Sequence, residues 1–295
     1  MPSHPAPAPG PRSRGTLFIV ATPIGNLDDI SVRALRVLRE VAVIAAEDTR
    51  HTARLLNHYD VQTPMLSLHE HNERERIDRI LARLEAGESV ALVSDAGTPL
   101  VSDPGAELVA AIRAAGMPVV AIPGASAVLT ALVASGVAAN QFTFFGFPPK
   151  KQGERQTWLR QAAAESRTLV IYEAPHRIHD TLTDMIEAFG ARKVVLGREL
   201  TKIHEEFITG TAESLLVSVE QPKGEYVIVV GPEAEPAAAS TLPEPEPATM
   251  FVEFCRLTDI EGLTRRDAVS ALARRFAMPS RAVYALIEEA KRTRE

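Results

Sequence analysis

The sequence contains a single cysteine, Cys255, and this scarcity excludes two classes of site. One thiol cannot form a disulfide within the chain, nor can it supply a cysteine-rich zinc site. A chain without disulfides suits a reducing compartment, so we expect the protein to act in the cytoplasm. The histidines follow no simple metal-ligand spacing, and we predict that no metal takes part.

Acidic residues outnumber basic ones, 38 to 32. The formal net charge is −6 and the isoelectric point is about 5.8, so the chain lacks the overall basic character of many nucleic-acid-binding proteins. Any contact with RNA must therefore rely on local basic patches. Basic residues gather in two such places, one holding Lys150, Lys151, Arg155 and Arg160 and the other, near the C-terminus, holding Arg265, Arg266, Arg274 and Arg275.

No apolar stretch is continuous enough to predict a membrane span. Residues 114–149 carry no charge and are largely apolar, but Pro123 and Gly124 interrupt them early and small polar residues dilute the remainder. We interpret this segment as strand, turn, buried helix and strand. Residues 1–14 are rich in proline and small residues and lack the apolar core of a signal peptide, so we predict a disordered tail.

Two familiar nucleotide-binding loops are missing. The dinucleotide fingerprint needs three glycines after the first strand, whereas Gly25 stands alone there. The phosphate-binding loop that ends in Gly-Lys-Ser/Thr is absent as well, which argues against an ordinary P-loop NTPase. A cofactor, if there is one, must be held in a different way.

What the sequence does contain is a regular alternation of strands and helices. Residues 16–21 form an apolar run without alternation, which predicts a strand buried on both faces. Similar runs alternate with helical segments, which predicts a mainly parallel sheet covered by helices. The second half ends on consecutive strands, so we predict a mixed sheet there. The predicted parts are an α/β domain at 15–123, a second α/β domain at 124–231, a linker at 232–249 and a small helical domain at 250–295.

Glycine, proline and small polar residues cluster in loops that follow predicted strands. Ligands of open α/β sheets bind beyond the carboxyl ends of the strands, so we expect a cleft where these loops meet. The loops are TPIGNL at 22–27, EDTRH at 47–51, SDAGTP at 94–99 and PGAS at 123–126. Taken alone, Gly97 is typical of a turn, and Asp103 is as consistent with a helix N-cap as with a ligand contact. The charged run at 70–79 predicts a solvated helix face.

Taken together and in order, the longer motifs resemble those of the bacterial small-subunit rRNA ribose 2′-O-methyltransferase I family, within the tetrapyrrole methylase superfamily. The matching segments are residues 22–27, 46–51, 92–99 and 103–105 in the first half, and 123–124, 172–173, 198–202 and 223–225 in the second. The resemblance covers about residues 15–232 and is weaker in the helical tail. It implies two α/β domains with S-adenosylmethionine (SAM) in the cleft between them, and a homodimer.

The resemblance also assigns residues to the cofactor. Those it places beside SAM are Ile24, Gly25, Asp95, Ala96, Gly97, Thr98, Ser126, Ala127 and Tyr172. The residue types suit that role, because glycine admits close approach of the backbone and tyrosine supplies an aromatic surface. The sequence leaves open whether Asp95 faces the sulfonium charge, the ammonium charge or a ribose hydroxyl.

Methyl transfer to a ribose hydroxyl needs help, because that hydroxyl is a very weak acid. Glu173 is the leading candidate base, since it follows a strand that faces the expected cleft, and Lys202 is a second catalytic candidate. Glu47 and Glu199 are alternatives, and simple pairing of Glu173 with Arg177 is an equally good interpretation. The predicted RNA contacts are Arg50, Arg177, Arg265, Arg266, Arg274 and Arg275.

The function that these patterns favour is SAM-dependent 2′-O-methylation of a cytidine in the decoding region of small-subunit rRNA, with the rRNA or the 30S subunit as partner. A tetrapyrrole C-methyltransferase of the same fold is one alternative. A non-catalytic ligand sensor that binds nucleic acid through its helical tail is another, and the intact series of cleft motifs argues against it.

Overall fold

The computed structural model describes residues 14–69, 72–219, 222–232, 246–260, 263–276, 278 and 280–292. The chain divides into two units, Met1–Glu233 and Ala234–Glu295. Apart from Arg14, the predicted tail at 1–14 lies outside the described residues, and so does most of the predicted linker at 232–249.

The first half of the first unit is a five-stranded parallel sheet with the strand order β3-β2-β4-β1-β5. Its strands are β1 Leu17–Val20, β2 Val43–Ala46, β3 Met65–Ser67, β4 Val90–Val93 and β5 Val119–Ile122. Its helices are α1 Val32–Glu40, α2 Thr49–His58, α3 Glu73–Glu85 and α4 Ala106–Ala114. The predicted mainly parallel sheet is confirmed.

Both faces of this sheet are covered, which explains the apolar runs without alternation. Successive residues of one strand enter different cores: Val43 packs with α3 and α4, whereas Ile44 packs with α1 and α2. Leu92 and Val93 divide in the same way. Because side chains alternate across a strand, a sheet with two dry faces needs apolar residues at every position.

The second half is a five-stranded mixed sheet with the order β6-β7-β10-β8-β9. Only β6 and β7 are parallel; the other neighbours run antiparallel. The strands are β6 Phe142–Gly146, β7 Thr168–Glu173, β8 Val194–Arg198, β9 Glu206–Gly210 and β10 Tyr226–Val230. The helices are α5 Ala127–Ala134, α6 Gln152–Ala163, α7 Ile178–Phe189 and α8 Ala212–Ser218.

Residues 114–149 fold as the end of α4, β5, α5 and β6, so the interpretation as strand, turn, helix and strand is confirmed. Among the described residues, no helix is both long and apolar enough to cross a membrane. Two elements were not predicted: β3 has only three half-buried residues, and α8 has seven, stabilised by a capping box between Thr211 and Ser214. Both are too short to show a clear period.

In the described part of the second unit, three helices pack around a small core of their own. They are α9 Pro247–Cys255, α10 Arg265–Arg275 and α11 Ser280–Arg292, and a π-helical turn, Arg256–Ile260, follows α9. The core includes Met250, Leu272 and Ile287. Helix α9 begins inside the predicted linker, because a proline in the first turn costs no hydrogen bond. Thr264 caps α10 by accepting a hydrogen bond from the Asp267 amide.

Candidate active site

A cavity of about 450 Å³ opens where strand ends from the two sheets meet. The loops after β1, β2, β4 and β5 contribute one wall, and the ends of β6 and β7 contribute the other. Strand β10 runs antiparallel to β7, so its first residues lie beside the last residues of β7 and complete the lining. Eight of the nine predicted cofactor residues line this cavity, namely Ile24, Asp95, Ala96, Gly97, Thr98, Ser126, Ala127 and Tyr172.

Gly97 lies at the centre of the first wall. Its backbone exchanges two hydrogen bonds with Thr22, at 2.8 and 3.0 Å, which ties the loop after β4 to the loop after β1. The φ angle of Gly97 is +78°, a conformation that side chains disfavour. A Cβ atom here would also lie 3.3 Å from Cγ2 of Ile24, another lining residue. The loop therefore requires glycine for its backbone and for the space beside it.

Gly25 is not among the residues that line the cavity, and its place beside the cofactor stays a prediction. A Cβ atom on Gly25 would meet Cγ of Lys202 at 2.6 Å and the carbonyl oxygen of Leu200 at 2.8 Å. Glycine is needed here because the loop after β8 crosses the loop after β1 at backbone contact. The position is a junction between the two α/β halves.

Lys202 belongs to that same junction, outside the cavity lining. Its Nζ lies 2.9 Å from the Glu199 carboxylate and 3.8 Å from that of Glu225. This contact with Lys202 lowers the pKa of Glu199. Gly224 packs so closely that a Cβ on it would lie 2.0 Å from Glu199 Oε1. The motifs at 198–202 and 223–225 thus interlock with each other, and Glu225 is the only residue of the two motifs that lines the cavity.

Three carboxylates of the first half, those of Glu47, Asp95 and Asp103, line the cavity. The Asp48 amide donates to Asp95 Oδ1 at 3.0 Å, and the Asp95 amide hydrogen-bonds to the Glu47 carboxylate. Burial and then the charges of Asp103 and Asp95 raise the pKa of Glu47. Burial and the charge of Asp95 raise the pKa of Asp103, against a hydrogen bond to Ser94. The group is suited to a ligand with positive charge or hydroxyl groups.

Asp103 does not cap helix α4, which excludes that alternative. The cap residue is Gly105, and the carboxylate of Glu73 in α3 accepts from the Gly105 and Leu108 amides, at 3.3 and 2.8 Å. Glu73 is buried, so the predicted solvated face at 70–79 is wrong at this position. Its negative charge replaces a local cap at the positive end of the α4 dipole, and Asp103 remains available to the cavity.

The second wall is aromatic. The Tyr172 ring lies 4.8 Å from the ring of Phe144 and 5.3 Å from that of Phe147, measured between centroids. Burial raises the pKa of Tyr172 to about 12, with a hydrogen bond to the Val128 backbone acting against it. The Tyr172 hydroxyl therefore stays protonated at all physiological pH values. The wall suits a flat apolar group such as a nucleobase.

Glu173 lines the cavity, but its carboxylate is already engaged. One oxygen accepts from the Ala174 amide at 2.8 Å and lies 3.6 Å from Arg177 Nε, and the other accepts from the Thr181 hydroxyl. The Glu173 side chain is completely buried. A general base needs an accessible lone pair directed at its substrate. These contacts favour the pairing interpretation of Glu173 over a role as base, and they make Glu47, which has fewer partners, the better candidate.

The predicted RNA contacts differ in accessibility. Arg50 is exposed and pairs with Asp48. Arg177 is largely buried and donates to the carbonyl oxygens of Pro148 and Pro149, at 2.7 and 2.9 Å. Its guanidinium therefore holds a loop of its own protein, which makes it a poor phosphate contact. Arg265 and Arg266 are exposed on α10, and the side chains of Arg274 and Arg275 lie outside the described residues.

Sequence reasoning missed one prominent lining residue, Phe147. It directly follows β6, and the rule that ligands bind at strand ends applies to it as much as to the loops after β1 and β4. Its loop, residues 147–151, lacks the glycine and acidic residues that mark the other strand-end loops of the cavity. Val101 and Ser102, in the loop between β4 and α4, were missed as well.

Comparison with known proteins agrees with this architecture. The family model for Tetrapyrrole (Corrin/Porphyrin) Methylases matches residues 16–216. The chain is 44% identical over 278 residues to the ribosomal RNA small subunit methyltransferase I of a Synechocystis species, a match that covers 92% of this chain and 97% of that protein. It is 53% identical over 230 residues to the protein of the same name from Xylella fastidiosa, covering 76% and 84%.

Among solved structures, the fold is similar to that of uroporphyrin-III C-methyltransferase from Thermus thermophilus in complex with S-adenosyl homocysteine. The TM-score is 0.53 at 19% identity, and the match covers 74% of this chain and 97% of that one. At this identity the likeness concerns the fold alone. The match to the family model and the extent of identity to the two relatives establish that the chain belongs to the tetrapyrrole methylases and, within them, to the ribosomal RNA small subunit methyltransferase I family.

Proposed function

We propose that this protein uses SAM to methylate the 2′-hydroxyl of a cytidine in the decoding region of small-subunit rRNA. The observation that carries the proposal is the cavity at the strand ends, where acidic, glycine-rich and aromatic walls meet in a chain 44% and 53% identical to the two rRNA methyltransferases. The motif resemblance supplies the finer choice of a ribose oxygen as acceptor.

The residues present fit SAM. The cavity volume of about 450 Å³ lies in the usual range for small-molecule sites, about 300–1,000 Å³. The Gly97 loop leaves open a space that a side chain would fill. Asp95 and its acidic neighbours suit the cationic and hydroxyl groups of SAM, and the aromatic wall at Tyr172 suits its adenine ring. When bound, SAM supplies an electrophilic methyl group.

The protein's own contribution is to orient the acceptor and to remove its proton. Glu47 extends from the end of β2 into the cavity with a carboxylate that accepts one backbone hydrogen bond from Asp95. A carboxylate with a raised pKa is a stronger base than an ordinary one. We infer that Glu47 accepts the proton of the ribose hydroxyl, and that Glu173 holds the second wall in place through Thr181 and Arg177.

The proposal also includes partners and assembly. The rRNA or the 30S subunit is the expected partner, which implies action in the cytoplasm where ribosomes are assembled. The family resemblance implies a homodimer. Analytical ultracentrifugation of the purified protein measures the assembly state directly. A monomer at micromolar concentration would contradict the expected homodimer.

The substrate test compares two acceptor classes. Purified protein and labelled SAM are incubated with small ribosomal subunits that lack the modification and, in parallel, with uroporphyrinogen. We expect label in the rRNA only, and nuclease mapping should place it on a cytidine 2′-oxygen. Methyl transfer to the tetrapyrrole without transfer to rRNA would overturn the proposed function and leave the fold untouched. Label on a base instead of a ribose would overturn only the choice of acceptor atom.

The second unit gives a further prediction. Reversing the charges of Arg265 and Arg266, both exposed at the start of α10, should weaken binding to small subunits. It should also reduce the slope of log K against log salt by about 1 for each phosphate that the variant no longer neutralises. The matched control reverses Arg33 and Arg36, which are exposed on α1 and outside the predicted RNA contacts. Equally weakened binding in both variants would show that the α10 arginines contribute only general charge.

A further inference from the structure

The loop after β6, residues 147–151, ends in two exposed lysines and is held by hydrogen bonds from two arginine side chains. Three consecutive carbonyl oxygens, those of Pro148, Pro149 and Lys150, accept hydrogen bonds from buried arginine side chains. Arg177 holds the first two and Arg155 holds the third. Each guanidinium bonds several acceptors in a fixed geometry, so the loop is fixed before any ligand arrives.

The two arginines are themselves anchored. Arg155 pairs with Asp184 at 2.7 Å, with both side chains almost completely buried. Arg177 lies 3.6 Å from Glu173 at the end of β7. Buried ion pairs are costly to desolvate and often add little net stability, but they can fix a geometry. Here the geometry that they fix is that of the loop, and the first residue of that loop lines the cavity.

That first residue is Phe147. Its side chain lines the cavity and packs beside Tyr172, yet 53% of its surface is exposed. A single exposed apolar residue needs no explanation by itself. An exposed aromatic ring on a rigid loop at the entrance of a cavity is different, because it presents a preformed stacking surface. Lys150 and Lys151, both exposed, follow it within four residues.

An aromatic ring beside lysines is the combination that binds single-stranded RNA, with the ring stacking on a base and the cations contacting phosphates. We propose that Phe147 is the platform on which a nucleobase of the substrate RNA stacks at the cavity entrance, while Lys150 and Lys151 contact the adjoining phosphates. This inference rests on the proposed function and assigns it a residue that positions the substrate. The occupant is an unpaired base, because a paired base in an A-form helix does not expose its face.

A fluorescence experiment tests the stacking without depending on methyl transfer. Trp158 is the only tryptophan of the chain, so the double variant F147W/W158F carries a single reporter at the platform. We expect deproteinised small-subunit rRNA to quench its emission and SAM alone to leave that emission nearly unchanged. Quenching by SAM with none by rRNA would overturn the proposal, since Phe147 would then belong to the cofactor wall. Absence of quenching by either ligand would overturn it as well.

Kinetics on small subunits provide the second readout. Phe147→Ala and Phe147→Leu should each lower kcat/KM for the subunit by about 5- to 150-fold, the range for removal of one base–aromatic stack, mainly through KM. Phe147→Trp should keep kcat/KM near the wild-type value. The affinity for SAM should change less than about twofold in all three variants. The control is Val133→Ala, a residue of α5 that is 75% exposed and outside the cavity lining. Full activity of Phe147→Leu would show that apolar contact suffices and would overturn the stacking role.

Failure of the proposed function gives a different pattern. In that case the wild-type protein itself transfers no methyl group to rRNA, whatever residue 147 is. The quenching experiment still reports whether the ring contacts RNA. The two hypotheses are therefore distinguished by the wild-type reaction on one side and the tryptophan reporter on the other.

Discussion

Replacing Gly97 with valine should abolish SAM binding while the protein remains folded. The β-branched side chain would project toward Ile24, where a Cβ alone already lies 3.3 Å from Cγ2, and would occupy the space beside the loop. We expect the dissociation constant to rise by more than about 100-fold, the result of blocking a preformed small-molecule site. Isothermal titration calorimetry measures the affinity, and circular dichroism checks the fold.

A matched control separates blockage from backbone strain. Gly136 also has a positive φ angle, +63°, but a Cβ there would meet nothing within 4 Å. Gly136→Val should therefore cost a similar strain energy, on the order of 1–3 kcal/mol, and bind SAM normally. If Gly97→Val bound SAM with wild-type affinity, the loop after β4 would be misassigned. If neither variant bound SAM, strain and not blockage would be the cause.

Replacing Glu47 with glutamine should slow single-turnover methyl transfer by about 10²–10⁴-fold, the usual effect of removing a general base. SAM and RNA affinities should change much less. Glu173→Gln should give a smaller decrease in rate, because the Glu173 carboxylate is already bonded to Thr181 and Ala174. Rapid-quench measurements at saturating SAM and subunit compare the two variants. A rate unchanged in Glu47→Gln and reduced in Glu173→Gln would reverse the assignment.

Glu47→Gln and Glu173→Gln should change the stability of the folded protein in opposite directions. Burial and neighbouring charges raise the pKa of Glu47, so its ionised form destabilises the folded state. Glutamine at this position should therefore raise the melting temperature at neutral pH. Glu173→Gln breaks a buried network and should destabilise the protein by about 1–3 kcal/mol. Thermal unfolding of both variants measures this. Failure of Glu47→Gln to bind SAM would instead place its carboxylate in the cofactor site.

The pH profile follows from the same shift. The base form of Glu47 disappears as pH falls through its pKa, which is raised from the ordinary value of 4.5. The acid limb of kcat/KM should therefore lie above 4.5 in the wild type. It should be absent in Glu47→Gln and retained in Glu173→Gln. A limb that persists in Glu47→Gln would assign the titration to another group, of which Asp103 is the nearest candidate because its pKa is also raised.

Much of the fold was predictable from local sequence. The strand Leu17–Val20 lies within the predicted run at 16–21, because a strand buried on both faces leaves an apolar run without alternation. The loops at strand ends followed for the same reason. Their position at the carboxyl ends of parallel strands is sufficient to predict that they meet.

Contacts between residues distant in sequence could not be predicted. Gly25 and Gly97 both follow strands, but the loop at Leu200 packs on the first and the cavity lies beside the second. A similar difference separates Asp103, whose position resembles that of a helix cap, from Glu73, whose carboxylate accepts from the first amides of α4. In both cases the deciding partner comes from an element that local sequence does not reveal.

The sequence alone therefore determined most of the strands and helices, the parallel and mixed sheets and the edge at which a ligand is expected to bind, because each depends on patterns within one or two elements. The tertiary structure alone decided the role of each polar group at that edge. A carboxylate can accept a proton from a substrate only if protein donors leave one of its oxygens accessible. Glu47 has fewer such donors than Glu173, and the difference depends on which donors packing brings within about 3 Å. The donors to Glu173, Ala174 and Thr181, lie within eight residues of it along the chain, and only the packing of α7 beside β7 brings them onto its carboxylate.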